Sequence, residues 1–336
     1  MKKASLVFLI SSIILVLSVL LYLNLGSYKM SIADIFKTFL GNGTNPQNFA
    51  IFELRLPRVI LAIIVAFALS ISGVIFQTIT KNPLSEPGII GINSGAALFV
   101  ILLISSNTST YYSKLPISTV LLMPIVAIIG AMFSIILIYL FAYKKRFKPI
   151  KFILTGIAIN TGFSAIISFY QLSVSKGDYN QVLTWTSGSL WGSNWNYILL
   201  TLPFILILII VTLIKSKTLD ILTLGDELSY GIGVNVQKES VLFIFIASFL
   251  AAIATSVAGN IAFLGFISPQ ISKSIIGYSH CKIIVLSGII GSIILVLSDA
   301  IAKNLFSPIE IPVGIIVSIL AVPYFIFLII RDRRFK

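Results

Sequence analysis

The feature that most constrains this chain is a stretch of 33 residues, 240–272, in which no side chain carries a charge. An α-helix rises about 1.5 Å per residue, so one helix of that length would extend about 50 Å. The hydrocarbon core of a membrane is only about 30 Å thick. The pair Gly259-Asn260 lies inside the stretch, where a helix can end. The stretch therefore predicts two consecutive membrane-spanning helices.

The composition of the whole chain agrees with a membrane protein. Of its 336 residues, 57% are hydrophobic and only 10% are charged, whereas a soluble domain keeps about a quarter of its residues charged. One span needs roughly 20 apolar residues, so the length allows about ten spans with short loops. We expect an all-α integral membrane protein in which residues 1–336 form a single polytopic domain.

Ten apolar segments can be read between the polar clusters. The first resembles a signal peptide but lacks a small-residue cleavage site, so we interpret it as an uncleaved span. The ten predicted spans cover about 6–23, 59–79, 88–105, 118–142, 152–173, 197–214, 240–258, 261–277, 283–302 and 313–330.

The basic residues predict the orientation of these spans. If the N-terminus lies inside the cell, 17 of the 24 Lys and Arg residues fall on the inner side, including the cluster at 144–151. Loops rich in Lys and Arg stay in the cytoplasm. The asymmetry predicts that both termini are cytoplasmic, and that most of this charge fixes topology and takes no part in chemistry.

Three cations on the predicted outer side do not follow from this rule. Arg55 and Arg58 flank Pro57 just before the second span, and Lys303 follows the ninth. They could form a docking surface for a partner that carries carboxylates, or they could be long side chains that extend towards the membrane interface. Their spacing alone leaves both interpretations open.

A second candidate site is the connection at about 215–239 on the predicted inner side. It holds Asp220, Asp226 and Glu227, with glycines where the chain can turn. It also contains Leu219, Ile221, Leu222, Leu224 and Ile232. Exposed apolar side chains in a surface loop indicate a partner. We expect two short helices, broken at a glycine, on which a cytosolic protein docks.

Polar groups and helix breakers inside apolar segments indicate a third set of candidates. Such groups are tolerated where they face protein or a water-filled path, although ordinary helix packing also explains each of them singly. The candidates for a translocation path or helix break are Asn82, Pro83, Asn160, Ser164, Pro269 and Gln270.

Several kinds of chemistry lack the residues they need. The single His280 and the single Cys281 are adjacent and have no further ligands nearby, so we expect a solvated loop there and no metal site. No GxxxxGK[ST] loop for a nucleotide is present. Carboxylates near the middle of spans are nearly absent, which argues against a carrier driven by protons or sodium, and no cluster suits an enzyme acting on lipids. Transport powered by a separate ATPase subunit would explain why both the nucleotide-binding loop and the mid-span carboxylates are absent.

The order of several segments resembles a known family. They are RLPR at 55–58, SGVIFQTITKNPLSEPGIIGINSGAAL at 72–98, LTGIAIN at 154–160, LGDELSYGIGV at 224–234, GNIAFLGFISPQISKSIIGYSH at 259–280, and SDAIAKNL with EIPVGIIVSILAVPYF within 298–325. Together they resemble the permease subunits of ATP-binding-cassette importers for iron-siderophores, haem and vitamin B12. Unlike that family's usual Pro-His, this chain has Pro269-Gln270, so no role of that histidine is carried over.

The resemblance implies a fold and a set of partners. It implies ten helices per subunit as in the vitamin B12 permease, two permease subunits (identical or paralogous), two ATPase subunits that bind ATP and Mg²⁺, and an extracytoplasmic binding lipoprotein. Glutamates of the binding protein would pair with Arg55, Arg58 and Lys303. The coupling loop to the ATPase would include Leu222, Leu224, Gly225, Asp226, Glu227, Gly231 and Val234.

The function we expect is the uptake of a ferric siderophore across the bacterial plasma membrane by a chain that is not an enzyme and binds no cofactor. Haem or cobalamin as cargo stays open within the same family. An ion-coupled secondary carrier is the alternative of another class.

Overall fold

The computed structural model describes residues 2–26, 28–107, 117–143, 147–173, 182–306 and 309–333. Within those ranges the ordered elements are helices. They are α1 Lys2–Asn24, α2 Ile32–Phe39, α3 Asn45–Asn48, a π-helix Phe49–Arg55, α4 Leu56–Thr80, α5 Pro87–Ile90, α6 Ile92–Asn107, α7 Ile117–Ala142, α8 Pro149–Ser173, α9 Trp195–Ile214, α10 Ser216–Leu222, α11 Asp226–Gly231, α12 Val236–Ala258, α13 Leu264–Ile276, α14 His280–Asn304 and α15 Val313–Arg333. Lys144, Lys145 and Arg146 of the predicted topological cluster lie outside the described residues.

Each of the ten predicted spans overlaps a helix, and the third overlaps both α5 and α6, which Gly91 separates. Seven helical stretches in the described ranges are long and apolar enough to cross a membrane, and α6 and α15 contribute shorter apolar stretches. The remaining predicted span corresponds to α13, which has 13 residues. The all-helical membrane fold is confirmed. The count of ten crossings and the cytoplasmic position of both termini stay predictions.

The second span begins earlier than its apolar run suggests. The chain is helical from Asn45 to Thr80, and the π-helix lies directly before Pro57. A proline ring crowds the carbonyl four residues before it and offers no N–H, so a wider turn there relieves the conflict. Arg55 and Arg58 therefore lie on a continuous helix, not in a loop.

Helix α4 forms the centre of the molecule. In its most apolar stretch 83% of the residues are buried, whereas the corresponding share is 22% in α1, α8 and α9. It packs against α12, α13 and α14. The outer helices expose apolar side chains, such as Leu199, Ile207 and Phe169. In a membrane protein these outer faces meet lipid or another protein, while α4 carries the internal contacts.

Glycines set the closest helix crossings. A Cβ at Gly73 of α4 would lie 1.7 Å from the carbonyl oxygen of Gly265 in α13, and a Cβ at Gly95 of α6 would lie 2.6 Å from that of Gly130 in α7. Small residues allow backbones to approach this closely in membrane bundles. The crossing of α4 and α13 therefore depends on glycine at both positions.

Candidate functional site

Arg58 is the centre of a buried ion-pair network at the N-terminal end of α4. Its Nε and Nη2 donate to the two carboxylate oxygens of Asp299 at 2.8 Å each, and its Nη1 donates to Glu310 at 2.8 Å. The Tyr22 hydroxyl also donates to Asp299 at 2.9 Å. Asp299 is 0% exposed, so its charge depends on these donors. The network ties α4 to α1, to α14 and to the segment before α15.

Arg55 is also buried, but its contacts are different. Its guanidinium donates to the backbone carbonyls of Leu23 and Tyr28. It thereby satisfies carbonyls at and just beyond the C-terminal end of α1, which the helix itself leaves unpaired. Arg55 fixes the chain that leaves α1.

Lys303 is the most accessible cation of the three. It is half-buried near the end of α14, with its ammonium 5.7 Å from the centre of the Tyr22 ring. It has no salt bridge to any carboxylate in the described parts of the chain. The three cations share the wall of a cavity of about 490 Å³ whose other lining residues include Tyr28, Trp191, Ser193 and Glu310.

The connection between α4 and α5 contains a buried carboxylate. Glu86 accepts a hydrogen bond from the backbone N–H of Phe263 at 3.1 Å, at the N-terminus of α13. Burial raises the pKa of Glu86 to about 7, although the N–H groups of Phe263 and Phe266 act in the opposite direction. Glu86 therefore joins this connection to the start of α13, and its charge can change near neutral pH.

Three hydrogen-bonded polar side chains lead to a second cavity. Thr255 donates to the Asn93 side-chain oxygen at 3.1 Å, and the Asn93 amide donates to Asn260 at 2.8 Å. Asn260 lines a cavity of about 560 Å³ together with Thr186, Ser187, Ala262, Gly314, Ile315, Ser318, Ile319, Val322 and Pro323. Residues from α15 thus form one wall of a cavity that combines an amide, hydroxyls and aliphatic groups.

Gln77 connects three segments near the C-terminal end of α4. Its side-chain oxygen accepts hydrogen bonds from Lys273 at 2.9 Å and from Gln270 at 3.0 Å. Gln270 also donates to the carbonyl of Pro83 at 2.9 Å. Lys273 and Gln270 therefore join α13 to α4, and Gln270 also joins α13 to the connection after α4.

The coupling segment, which we define as residues 215–239, contains the two short helices expected from the sequence. They are α10 and α11, and Gly225 between them has φ +104°, a conformation that suits glycine. Asp226 pairs with Lys81 at the end of α4, 2.6 Å away. Leu222 is buried, contrary to our expectation of an exposed apolar loop there, and so is Leu219. The exposed apolar side chains of the segment are Leu224, Leu228, Tyr230 and Ile232.

Comparison with known proteins identifies the family. The FecCD transport family matches residues 14–331 of this chain. The chain belongs to this family. The iron(3+)-hydroxamate import permease FhuG of Bacillus subtilis (strain 168) is 40% identical over 330 residues, covering 98% of each chain. The hemin transport permease HmuU of Yersinia pestis is 33% identical over 320 residues, covering 95% of each.

A solved structure supports the same assignment. A metal-chelate type ABC transporter in an inward-facing conformation superposes with a TM-score of 0.85 and 27% identity, over 97% of this chain and 99% of the other. With its apolar helices, the FecCD chain is a multi-pass plasma-membrane protein of a transport family.

The structure brings together some of the sequence-predicted residues of this FecCD protein and separates others. Arg55, Arg58 and Lys303 meet at one cavity. Of the path candidates, Pro83 and Gln270 are bonded to each other, and Asn82 bonds within its own turn, to the N–H of Leu84. Asn160 packs against Gly91, Ser164 is exposed on α8, and Pro269 is buried inside α13. The six do not form a single group.

Sequence reasoning missed the partners of these groups. Asp299 and Glu310 lie on the same predicted side of the membrane as the three cations. This common position could have indicated that they form ion pairs with the cations. Nothing in the sequence pointed to the contact of Asn93 with Asn260 or to that of Glu86 with Phe263. The expectation of a solvated His280 was wrong, because the side chain is 2% exposed at the start of α14.

The raised pKa of Glu86 gives a testable pH dependence. An unfolded chain releases this proton near pH 4.3, while the folded chain keeps it up to about pH 7. Between these values the folded state binds more protons, so stability is greatest at the acidic end and falls as the pH rises. We expect this part of the stability of the detergent-solubilised protein, on the order of 3 kcal/mol, to disappear from its pH profile in Glu86→Gln, which keeps an oxygen for Phe263.

The matched control is Glu53→Gln, which changes an exposed carboxylate. It should keep the wild-type fall of the apparent Tm between pH 4.5 and pH 7. An unchanged slope in Glu86→Gln would show that Glu86 does not titrate in this range.

Proposed function

We propose that this chain is the membrane-spanning permease subunit of an ATP-driven importer of ferric siderophores, with a ferric hydroxamate as the first candidate cargo. The observation that carries the proposal is the end-to-end match with FhuG, an iron(3+)-hydroxamate import permease. The similarity to HmuU, a hemin transport permease, makes haem the second candidate. The chain carries out no bond-making chemistry and binds no cofactor, since ATP and Mg²⁺ belong to a partner.

The coupling segment supports a cytosolic ATPase as the source of energy. Its Leu224, Leu228, Tyr230 and Ile232 each expose an apolar side chain, and a surface of exposed apolar side chains outside the membrane is typical of a protein contact. The buried Leu222 anchors this surface to the bundle. Gly225, Asp226, Glu227, Gly231 and Val234 shape the segment, which two ATPase subunits would contact from below, one for each permease subunit.

The exposed faces of α8 and α15 support a second permease subunit. Thr161, Ser164 and Ser168 recur along an exposed face of α8, and hydroxyl groups are more typical of helix contacts or water-filled paths than of lipid-facing surfaces. The cavity beside Asn260 and α15 is open to the surface of the chain. A second copy or a paralogue placed there would enclose a path, with Asn160 and Ser164 near its wall.

The cavity at the N-terminal end of α4 supports docking of an extracytoplasmic binding lipoprotein. Lys303 is the cation available to a carboxylate of that partner. Arg55 and Arg58 are engaged by carbonyls and carboxylates of this chain, so we assign them the task of holding the surface in shape. This division of roles refines the three-cation docking site expected from the sequence.

The test is ATP-dependent uptake of radioactive ferric hydroxamate into proteoliposomes that contain the permease, its ATPase and its binding protein. In Lys303→Glu we expect the affinity for the binding protein to fall by at least about tenfold, with a weaker salt dependence, because a charge at the rim mainly affects association. Assembly with the ATPase should remain normal.

Lys37→Glu is the matched control, since Lys37 is exposed on α2 and does not line the cavity. Wild-type affinity in Lys303→Glu would contradict the docking site. Uptake that follows an ion gradient without the ATPase would replace the importer with a secondary carrier. Uptake of haem in preference to the hydroxamate would change the cargo only.

A further inference from the structure

We propose that His280 is a positioning residue that transmits movement of the coupling segment to α4 and α14. This inference rests on the proposed function, because it concerns how an ATPase bound at that segment would act on the transport helices. The movement would pass through three residues, Asp220 of α10, His280 of α14 and Thr78 of α4. We call these three residues the His280 link.

The first half of the His280 link connects α10 to α14. One carboxylate oxygen of Asp220 accepts the backbone N–H of His280 at 2.8 Å and lies 2.7 Å from its Nδ1. A carboxylate only accepts hydrogen bonds, so Nδ1 carries the proton. Ser279, the residue before α14, makes no side-chain cap. Asp220 therefore takes the place of the missing cap.

The second half connects α14 to α4. The Nε2 atom of His280 lies 2.8 Å from the Thr78 hydroxyl, and both side chains are buried. Since Nδ1 carries the proton, Nε2 accepts, and the single hydroxyl proton of Thr78 is shared between Nε2 and the Val74 carbonyl, also 2.8 Å away. The imidazole thus occupies a position between three helices with partners on both ring nitrogens. Because both ring nitrogens are hydrogen-bonded, a displacement of one helix moves the imidazole and, through it, the next helix.

The helices that receive the displacement are joined along their lengths. At the far end, Arg58 of α4 is bonded to Asp299 of α14. Between the ends, a Cβ at Gly288 would lie 2.2 Å from the Phe67 ring, and a Cβ at Gly291 would lie 2.2 Å from the Ser70 hydroxyl. The contact of His280 with Thr78 sets the position of α4 on α14 at the end near the coupling segment, and the close packing and the Arg58–Asp299 pair carry that position along both helices. A displacement of His280 would therefore reach the end of α4 that carries Arg58.

Thr78→Val and His280→Leu cut the link from opposite sides. Both leave the Asp220 contact with the backbone of residue 280 in place. We expect both to assemble with the ATPase normally, while the iron chelate imported per ATP hydrolysed falls about fivefold in Thr78→Val, the scale of one lost buried hydrogen bond. The loss should be at least as large in His280→Leu, which gives up side-chain contacts with both Thr78 and Asp220. The double variant should be no worse than His280→Leu alone, because His280→Leu already removes the contact with Thr78. Thr78→Ser keeps the hydroxyl and should retain wild-type coupling.

Thr212→Val is the matched control. Thr212 is buried, and its hydroxyl bonds only to the carbonyl of Leu208 in its own helix among the described residues. It should leave coupling unchanged. Thr78→Val and Thr212→Val should also differ in hydrogen exchange of the α10 amides in the permease alone, faster exchange being expected only for Thr78→Val.

The outcomes separate the link from the proposed function. Wild-type coupling in Thr78→Val and His280→Leu would overturn the link, even if exchange of α10 changed. Equal losses in Thr212→Val would overturn it too. A wild-type complex without ATP-driven uptake would overturn the proposed function, and the link as a coupling device with it.

Discussion

Replacing Gly73 with alanine is expected to prevent α4 and α13 from packing in their present positions. The new Cβ would lie 1.7 Å from the carbonyl oxygen of Gly265 and 2.5 Å from its carbonyl carbon. Non-bonded heavy atoms are most stable about 3.5–4.0 Å apart, and both obstructing atoms belong to the backbone. The helices would have to separate at the centre of the bundle. We expect a loss of stability above the roughly 1–3 kcal/mol of ordinary overpacking, measured as a lower Tm and a lower yield of monodisperse protein.

The matched control is Gly162→Ala in α8. No heavy atom lies within 4 Å of a Cβ built at Gly162, and alanine favours the helix over glycine by up to about 1 kcal/mol. The Tm of Gly162→Ala should stay the same or rise slightly. Equal stability of Gly73→Ala and the wild type would show that the two helices can separate without loss.

The spans were predictable from the sequence because membrane helices leave a strong one-dimensional pattern. Eight of the ten predicted spans carry no charge, the exceptions being Lys273 in the eighth and Asp299 in the ninth, and all ten fall on helices. The crossing of Gly73 with Gly265 was not predictable in this way. It depends on which faces of two distant helices meet, and one glycine in a span does not reveal its partner. The helical start at 45–55 was missed because polar residues there read as a loop.

The candidate site was predictable only in part, for a related reason. Arg55, Arg58 and Lys303 stood out because cations are rare on the predicted outer side, and the structure gathers them. Their burial was not visible, since the sequence does not say that Asp299 and Glu310 approach Arg58. His280 was misread for the same cause. Its partners Asp220 and Thr78 are far from it in the chain, and a lone histidine near charged residues is typical of a loop.

Replacing Arg58 alone is expected to have the second large effect. In Arg58→Met the buried Asp299 would keep only the Tyr22 hydroxyl as a donor among the described side chains. Removing one partner of a buried pair costs about 3–5 kcal/mol, because it leaves a charge without compensation. We expect a correspondingly lower free energy of unfolding, measured by thermal or chemical denaturation in detergent.

The double variant Arg58→Met with Asp299→Leu separates this effect from docking. It removes both buried charges and fills similar volumes with apolar groups, and such replacements are often neutral or stabilising. We expect the stability lost in Arg58→Met to return in the double variant, less about 1–3 kcal/mol because the buried Tyr22 hydroxyl loses its acceptor. Uptake should return as well, because Lys303 remains at the cavity. Stability that stays low in the double variant would contradict the pairing as the cause. Restored stability without restored uptake would show that Arg58 itself contacts the binding protein. Arg58 would then belong to the docking contact and would not merely support the docking surface.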